Sequence, residues 1–189
     1  MELERIETNK HLIRHYLKLT ERKGIEDLLE WMDQNGFFDA PCSTKYHLAE
    51  PGGLAEHSLN VMNAALAMFN HMPGVEYSEE TYNSIVLCSL LHDLGKAGQF
   101  GKPAYIENPD PENGAYKGNK DLLYVGHEIR SIAIASKFID LTEEEQFAIL
   151  YHNGLYGELH AFKGHETPLY MIIHFADLWA CRIMEKEEA

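Results

Sequence analysis

Ser84-Ile85-Val86-Leu87-Cys88-Ser89-Leu90-Leu91-His92-Asp93-Leu94-Gly95-Lys96 is an apolar run that ends on an imidazole, a carboxylate, a glycine and a lysine. A stretch this apolar reads as a buried helix, so His92 and Asp93 arrive at its end where an unpartnered polar group is costly. A metal ion would remove that cost. Successive helix residues point about 100° apart, so both side chains reach one ion only at a helix end or where neighbouring helices converge, and Gly95 is the expected stop. The alternative is a hydrogen-bonded core histidine beside a capping aspartate. The residues that accompany the pair bear on the choice.

Outward from this stretch the spacing is helical almost everywhere, and the expected class is all-α. Ile6, Ile13 and Leu17, with Leu12, Tyr16 and Leu19, predict a helix from Leu3 to about Lys23, with Gly24 as its stop. Ile25, Leu28, Leu29 and Met32 predict a second, ended at Gly36. Residues 37–53 are loop-like but rich in aromatic and apolar residues, and are expected to pack over the site. A third helix is predicted from Leu54 to about His71, and the helix entering the opening motif starts near Glu79. Residues 97–124 read as a long loop with a short hairpin around Ala104-Tyr105-Ile106. Helical spacing resumes from Val125 to Ile139. Thr142-Glu143-Glu144-Glu145 is a capping-box pattern opening a helix that ends at His152, with Gly154 beyond. A Gly- and His-bearing loop runs to His165; Thr167-Pro168 then opens the last helix, expected to reach Met184, with an acidic tail from Glu185.

Placed on these helices, His57, His92-Asp93, His127, His152 and Asp177 each come from a different one, most from an end or first turn, so five helices are expected to converge on one point. Nitrogen and carboxylate oxygen without thiolate suit one or two divalent transition metal ions, Mn, Fe, Co, Ni or Zn. His57, His92, Asp93 and Asp177 would make one site; a bridging Asp93 with His127 and His152 would make a second about 3.5–4 Å away. Such a pair lowers the pKa of a shared water and clamps a phosphate oxygen.

The chain has 189 residues and no shift in composition, so one domain is expected. Its formal charge of −14 argues against a long nucleic-acid track, which needs many Lys and Arg contacts to phosphates. That charge leaves room for a small phosphorylated substrate held at a metal. Met1-Glu2-Leu3-Glu4-Arg5 has no apolar signal core, and no run approaches the ~18 residues of a membrane span, so a cytoplasmic protein without a membrane partner is expected. Three cysteines, Cys42, Cys88 and Cys181, lack paired metal-site spacing and read as reduced thiols. The oligomeric state is left open.

His57, His92-Asp93 and Asp177 resemble the H…HD…D signature of the HD-domain metal-dependent phosphohydrolases, an all-helical superfamily, with His127 and His152 at the positions of its two-metal members. The likeness covers roughly residues 45 to 180, with residues 1–44 as N-terminal helices and loop packed on that core. A closer similarity, to the HD domain of bacterial 3′-to-5′ exoribonucleases, lies in Gly52-Gly53-Leu54-Ala55-Glu56-His57-Ser58-Leu59, Gly126-His127 and Ile149-Leu150-Tyr151-His152-Asn153-Gly154. Those enzymes carry a further oligonucleotide-binding domain, and commonly His-His-Gly where this chain has His152-Asn153-Gly154. With the acidic charge, these departures shift the expectation from RNA degradation to a nucleotide, cyclic nucleotide or short oligonucleotide. The resemblance implies hydrolysis of a phosphoester by metal-activated hydroxide, oriented by Asp93, with Lys96 neutralising the phosphate. Two other activities share the likeness: a mixed-valent di-iron oxygenase, and a non-catalytic nucleotide-binding module.

Lys96 could equally be a cation favoured at a helix C-terminus. His174 shares a face with Asp177 and is either its partner or a core histidine. Tyr46, His47 and Glu56 either touch substrate or pack their loop. His11, His15, His71, His160 and His165 are assigned to surface or loop.

Overall fold

Ser78 opens the central helix by accepting a hydrogen bond from the Thr81 backbone N–H at 3.1 Å, and from Ser84 to Leu91 every residue of that helix is buried. The computed structural model describes residues 2–75, 77–154 and 164–186. Among these, the helices are α1 Glu2–Leu19, α2 Ile25–Gln34, α3 Gly53–Phe69, α4 Glu79–Leu91, α5 His127–Ala135, α6 Glu143–Tyr151 and α7 Pro168–Trp179. A 3-10 turn, Leu94–Ala97, follows α4, and a π-helical turn, Ala180–Met184, follows α7. The hairpin is β1 Tyr105–Glu107 antiparallel to β2 Tyr116–Gly118, with Tyr105 opposite Gly118.

α3 and α4 pack together at the centre. One apolar cluster joins them to α1, α2 and α5 through Leu17, Leu28, Met62, Leu90 and Ile134. A second joins them to α6 and α7 through Val61, Ile85, Ile149 and Ile173, and Leu66 and Tyr82 touch both. Burial of apolar surface on both sides of α3 and α4 fixes which way their ends point. No helix of the described residues is long and apolar enough to cross a membrane.

Several boundaries differ from the sequence reading. α1 stops at Leu19, where the Thr20 hydroxyl donates to the Leu17 carbonyl and Glu21 takes a positive φ of 51°. Gly24 instead precedes α2, and a Cβ there would lie 1.9 Å from the Phe138 carbonyl oxygen, so it is a point of close approach. Gly95 does not end α4. The chain tightens into the 3-10 turn and leaves it at Gly98, whose φ is 101°. The helix expected over 125–139 is α5 followed by tight turns, Lys137 and Phe138 donating to the carbonyls of Ile134 and Ala135. The last helix widens at Ala180 rather than continuing to Met184. Of the expected His-bearing loop, residues 155–163, including His160, lie outside the described residues.

Candidate metal centre

Each potential ligand occupies a place its helix makes for it. His57 is in the first turns of α3, His92 caps α4 with Asp93 just beyond, His127 begins α5, His152 caps α6, and Asp177 is in the last turns of α7. The six side chains meet. His57 Nε2 lies 3.2 Å from His92 Nε2, 3.3 Å from Asp177 Oδ1 and 3.5 Å from Asp93 Oδ2. His92 Nε2 is 3.4 Å from the same Asp93 oxygen. The other oxygen, Asp93 Oδ1, is 3.1 Å from His127 Nε2 and 3.6 Å from His152 Nε2, which are 3.4 Å apart. Asp93 therefore stands between two groups, one oxygen turned to each.

These separations test whether a metal suits the residues. Bonds of about 2.0–2.2 Å in a tetrahedral site set neighbouring ligand atoms about 3.3–3.6 Å apart, close to the 3.1–3.6 Å found here. The hydrogen bonds point the same way. His92 Nδ1 donates to the Ser89 carbonyl at 2.8 Å and His152 Nδ1 to the Ile149 carbonyl at 2.7 Å, so each ring turns Nε2 inward, as a lone pair whenever the ring serves as a ligand. Asp93 Oδ1, buried, has no hydrogen-bond partner. Lone pairs facing a buried carboxylate oxygen are unfavourable unless a cation lies among them. The residues fit a divalent ion in either group.

The electrostatics favour positive charge. Burial works against a charged Asp93, but Lys96, His92 and His127 outweigh it and hold the carboxyl well below its usual range. Burial likewise opposes ionised Asp177, and the hydrogen bond and charge of His57, followed by His92 and His152, overcome it. His57 is buried, yet Cys42, Asp177 and Glu185 keep its pKa well above the usual histidine value. Surroundings that hold a proton this firmly would also stabilise a metal cation.

Lys96 Nζ sits 2.6 Å from Asp93 Oδ2. Its immediate partner is thus the carboxylate. Gly95 serves α5: a Cβ there would lie 2.3 Å from the His127 carbonyl oxygen, and its N–H donates to Ser131 Oγ at 2.8 Å. Gly95→Ala is expected to push the start of α5 away, costing about 1–3 kcal/mol by overpacking and displacing His127. Urea denaturation, read beside metal binding, checks both effects.

His174 donates through Nδ1 to the His152 carbonyl at 2.8 Å, so it steadies the end of α6 rather than Asp177. His47, from the loop over the site, has its ring 5.4 Å from that of His57. Glu56 turns away to pair with Arg5 on α1. His11, His15, His71 and His165 are exposed. Glu185 and Cys42 are neighbours of His57 that escaped the sequence reading. Glu185, assigned to the tail, is buried with its carboxylate on His57 Nδ1 at 3.0 Å. Buried Cys42 brings its sulfur among His57 and Asp93. Neither has a local signal, since each reaches the cluster from an irregular segment. An unpaired cysteine beside Pro41 and the first glutamate of the acidic tail are the hints the sequence offers.

The cluster lies between two cavities. One, of about 670 Å³, is lined by Asp177 and Asn153 together with Lys45, Arg182 and Lys186. The other, of about 470 Å³, is lined by His127, Lys96, Lys120, Tyr105 and Tyr124. Asn153 Nδ2 is 3.3 Å from His127 Nε2, so a residue lining the first cavity meets one lining the second, and a candidate ligand borders each.

Comparison with known proteins places these features. Residues 54–178 match the HD domain family, a span that begins just before His57 and ends just after Asp177. A 3′-5′ exoribonuclease YhaM of Geobacillus sp. (strain WCH70) is 26% identical over 150 residues, covering 75% of this chain and 42% of the relative. The chain thus spans less than half the length of that relative. No solved structure gives a significant match.

Proposed function

The chain belongs to the HD domain family, whose members bind divalent metals, and from that premise we propose that it hydrolyses a phosphoester of a nucleotide, cyclic nucleotide or short oligonucleotide. The observation that carries this reading is the placement of Asp93, whose Oδ2 faces His57 and His92 while Oδ1 faces His127 and His152. The first group, completed by Asp177, would hold one divalent ion, and the second another. Bound there, such ions supply an activated water at neutral pH and a Lewis acid for the phosphoryl oxygen.

The protein's own residues do the rest. Asp93 ties the two groups together, and Lys96 fixes its carboxylate while presenting positive charge at the wall of the smaller cavity. His92 and His152 are locked by backbone carbonyls, so neither ring must reorient when an ion arrives. Lys45, Arg182 and Lys186 outnumber the carboxylates of Asp177 and Glu185 around the larger cavity, in a chain of formal charge −14, and that local balance suits a phosphorylated ligand. Tyr105 and Tyr124 give the smaller cavity aromatic walls on which a base can stack. Room on both sides of the ligand groups favours a diester, one arm in each cavity, over a monoester. The similarity to an exoribonuclease supports the same substrate chemistry.

Elemental analysis of protein purified without chelator, read beside hydrolysis of nucleotide phosphoesters under anaerobic conditions with Mn, Co, Ni or Fe(II) added back, tests the proposal. About two metals per chain and metal-dependent phosphoester cleavage are expected. Two irons without cleavage across the panel would overturn it in favour of an oxygenase, and a metal-free, inactive protein that binds a nucleotide would point to a binding module. Chelation is expected to abolish turnover and lower the melting temperature. Metal present at a thousand times its dissociation constant stabilises by about 4 kcal/mol, and scanning calorimetry before and after dialysis against chelator measures that loss.

A further inference from the structure

Three imidazoles of the centre have a known anchor for the nitrogen that faces away from Asp93, and one anchor differs in kind. His92 and His152 donate to neutral backbone carbonyls. His57 instead meets both oxygens of the Glu185 carboxylate, 3.0 and 3.1 Å from its Nδ1. The Glu185 side chain is only 1% exposed and also accepts from Asn60 Nδ2 at 3.1 Å. It reaches this place because the chain widens into the π-helical turn after α7, the Glu185 N–H bonding the Ala180 carbonyl five residues back.

We infer that Glu185 is a positioning residue that makes the two ligand groups unequal, the group around His57 binding its metal more tightly. This rests on the reading of the cluster as a metal centre. A carboxylate accepting Nδ1–H fixes the tautomer with Nε2 as the donor to a metal, and it makes that nitrogen more basic than a carbonyl does. Burial removes the screening that would weaken this effect. The group that contains His57 is also the better enclosed, since His57 and His92 are fully buried whereas His127 is partly open.

Competition of the metal-free 189-residue chain with a chromophoric chelator for Zn²⁺ tests the inference without reference to turnover. Glu185→Ala should weaken the tighter zinc 10- to 100-fold, the usual cost of losing an outer hydrogen-bond partner, and leave the weaker zinc within about threefold. Glu185→Gln retains an acceptor for Nδ1–H but no charge, and should fall between; it carries the test if the alanine variant fails to fold. Zinc binding unchanged in both variants, or weakened equally at both positions, would overturn the inference. A wild-type chain that binds no zinc, nor any of the other divalent ions, would overturn the metal reading itself.

Discussion

Replacing Asp93 by asparagine is expected to empty the centre of metal and reduce phosphoester hydrolysis by about three orders of magnitude or more, some 4 kcal/mol of transition-state stabilisation. The size of the effect follows from position. Each Asp93 oxygen faces a different pair of histidines, and an asparagine can offer one uncharged oxygen, with an amide nitrogen that cannot ligate. The same change strands Lys96, whose Nζ lies 2.6 Å from Asp93 Oδ2 and whose side chain is 14% exposed. Some loss of folding stability is therefore expected with the loss of metal. Adding Lys96→Met separates the two: the double variant should recover much of the stability, because the lone buried cation is gone, yet bind no more metal than Asp93→Asn alone. Metal analysis, thermal melts and assays of the wild type and these two variants check all three expectations. An Asp93→Asn protein that retained both metals and its turnover would remove Asp93 from the chemistry.

Glu145→Ala is expected to destabilise the fold strongly from a position away from the ligand cluster. Glu145 is fully buried on α6, and its carboxylate takes the Arg22 guanidinium between α1 and α2, the Ser84 hydroxyl of α4 at 2.7 Å and the Thr142 backbone N–H at 2.8 Å. Its own N–H returns to Thr142 Oγ1 at 3.1 Å, closing the capping box. Truncation takes the acceptor from the buried Ser84 hydroxyl, and removes one partner from the Arg22 guanidinium, which keeps the Asp140 carbonyl at 2.9 Å, and from the exposed Thr142 N–H. The expected cost is about 2–4 kcal/mol, or roughly 4–16 °C in melting temperature for a chain of this size. Glu145→Gln keeps one acceptor and should fall between. Arg22→Ala combined with Glu145→Ala should cost less than the sum of the single changes, since each alone abandons the other's partner. Melts followed by circular dichroism decide the matter; independent, additive effects would show that the pair is only incidental.

The residues of this hub and of the metal centre were not equally legible. α2, α4 and α6 follow from apolar spacing and caps, because those signals lie within a few residues of each other. The six candidate ligands were legible for a related reason: histidine and aspartate at the ends of apolar helices have few other ways to be satisfied. Glu145 was legible as half of a capping box, but its grip on Arg22 spans 123 positions and depends on how α6 docks. Glu185 was illegible for the same reason, 128 positions from His57 and beyond a turn whose widening no local pattern announces. Gly95 and Gly24 show the complementary failure. A glycine near a helix end reads as a stop, whereas both are places where another segment of backbone passes too close for a Cβ.

The five helices that supply the cluster are separated along the chain, so no ligand group exists in any fragment that has folded only locally. His57 and Asp177 must travel across 120 positions to meet. A metal therefore has little to hold until docking is nearly complete, and it cannot seed the fold the way it does in a short finger-like module. Its influence falls on the reverse reaction: occupancy slows escape from the finished structure while leaving the rate of reaching it almost unchanged. Loss of the ions would first show as a shorter lifetime of the native protein.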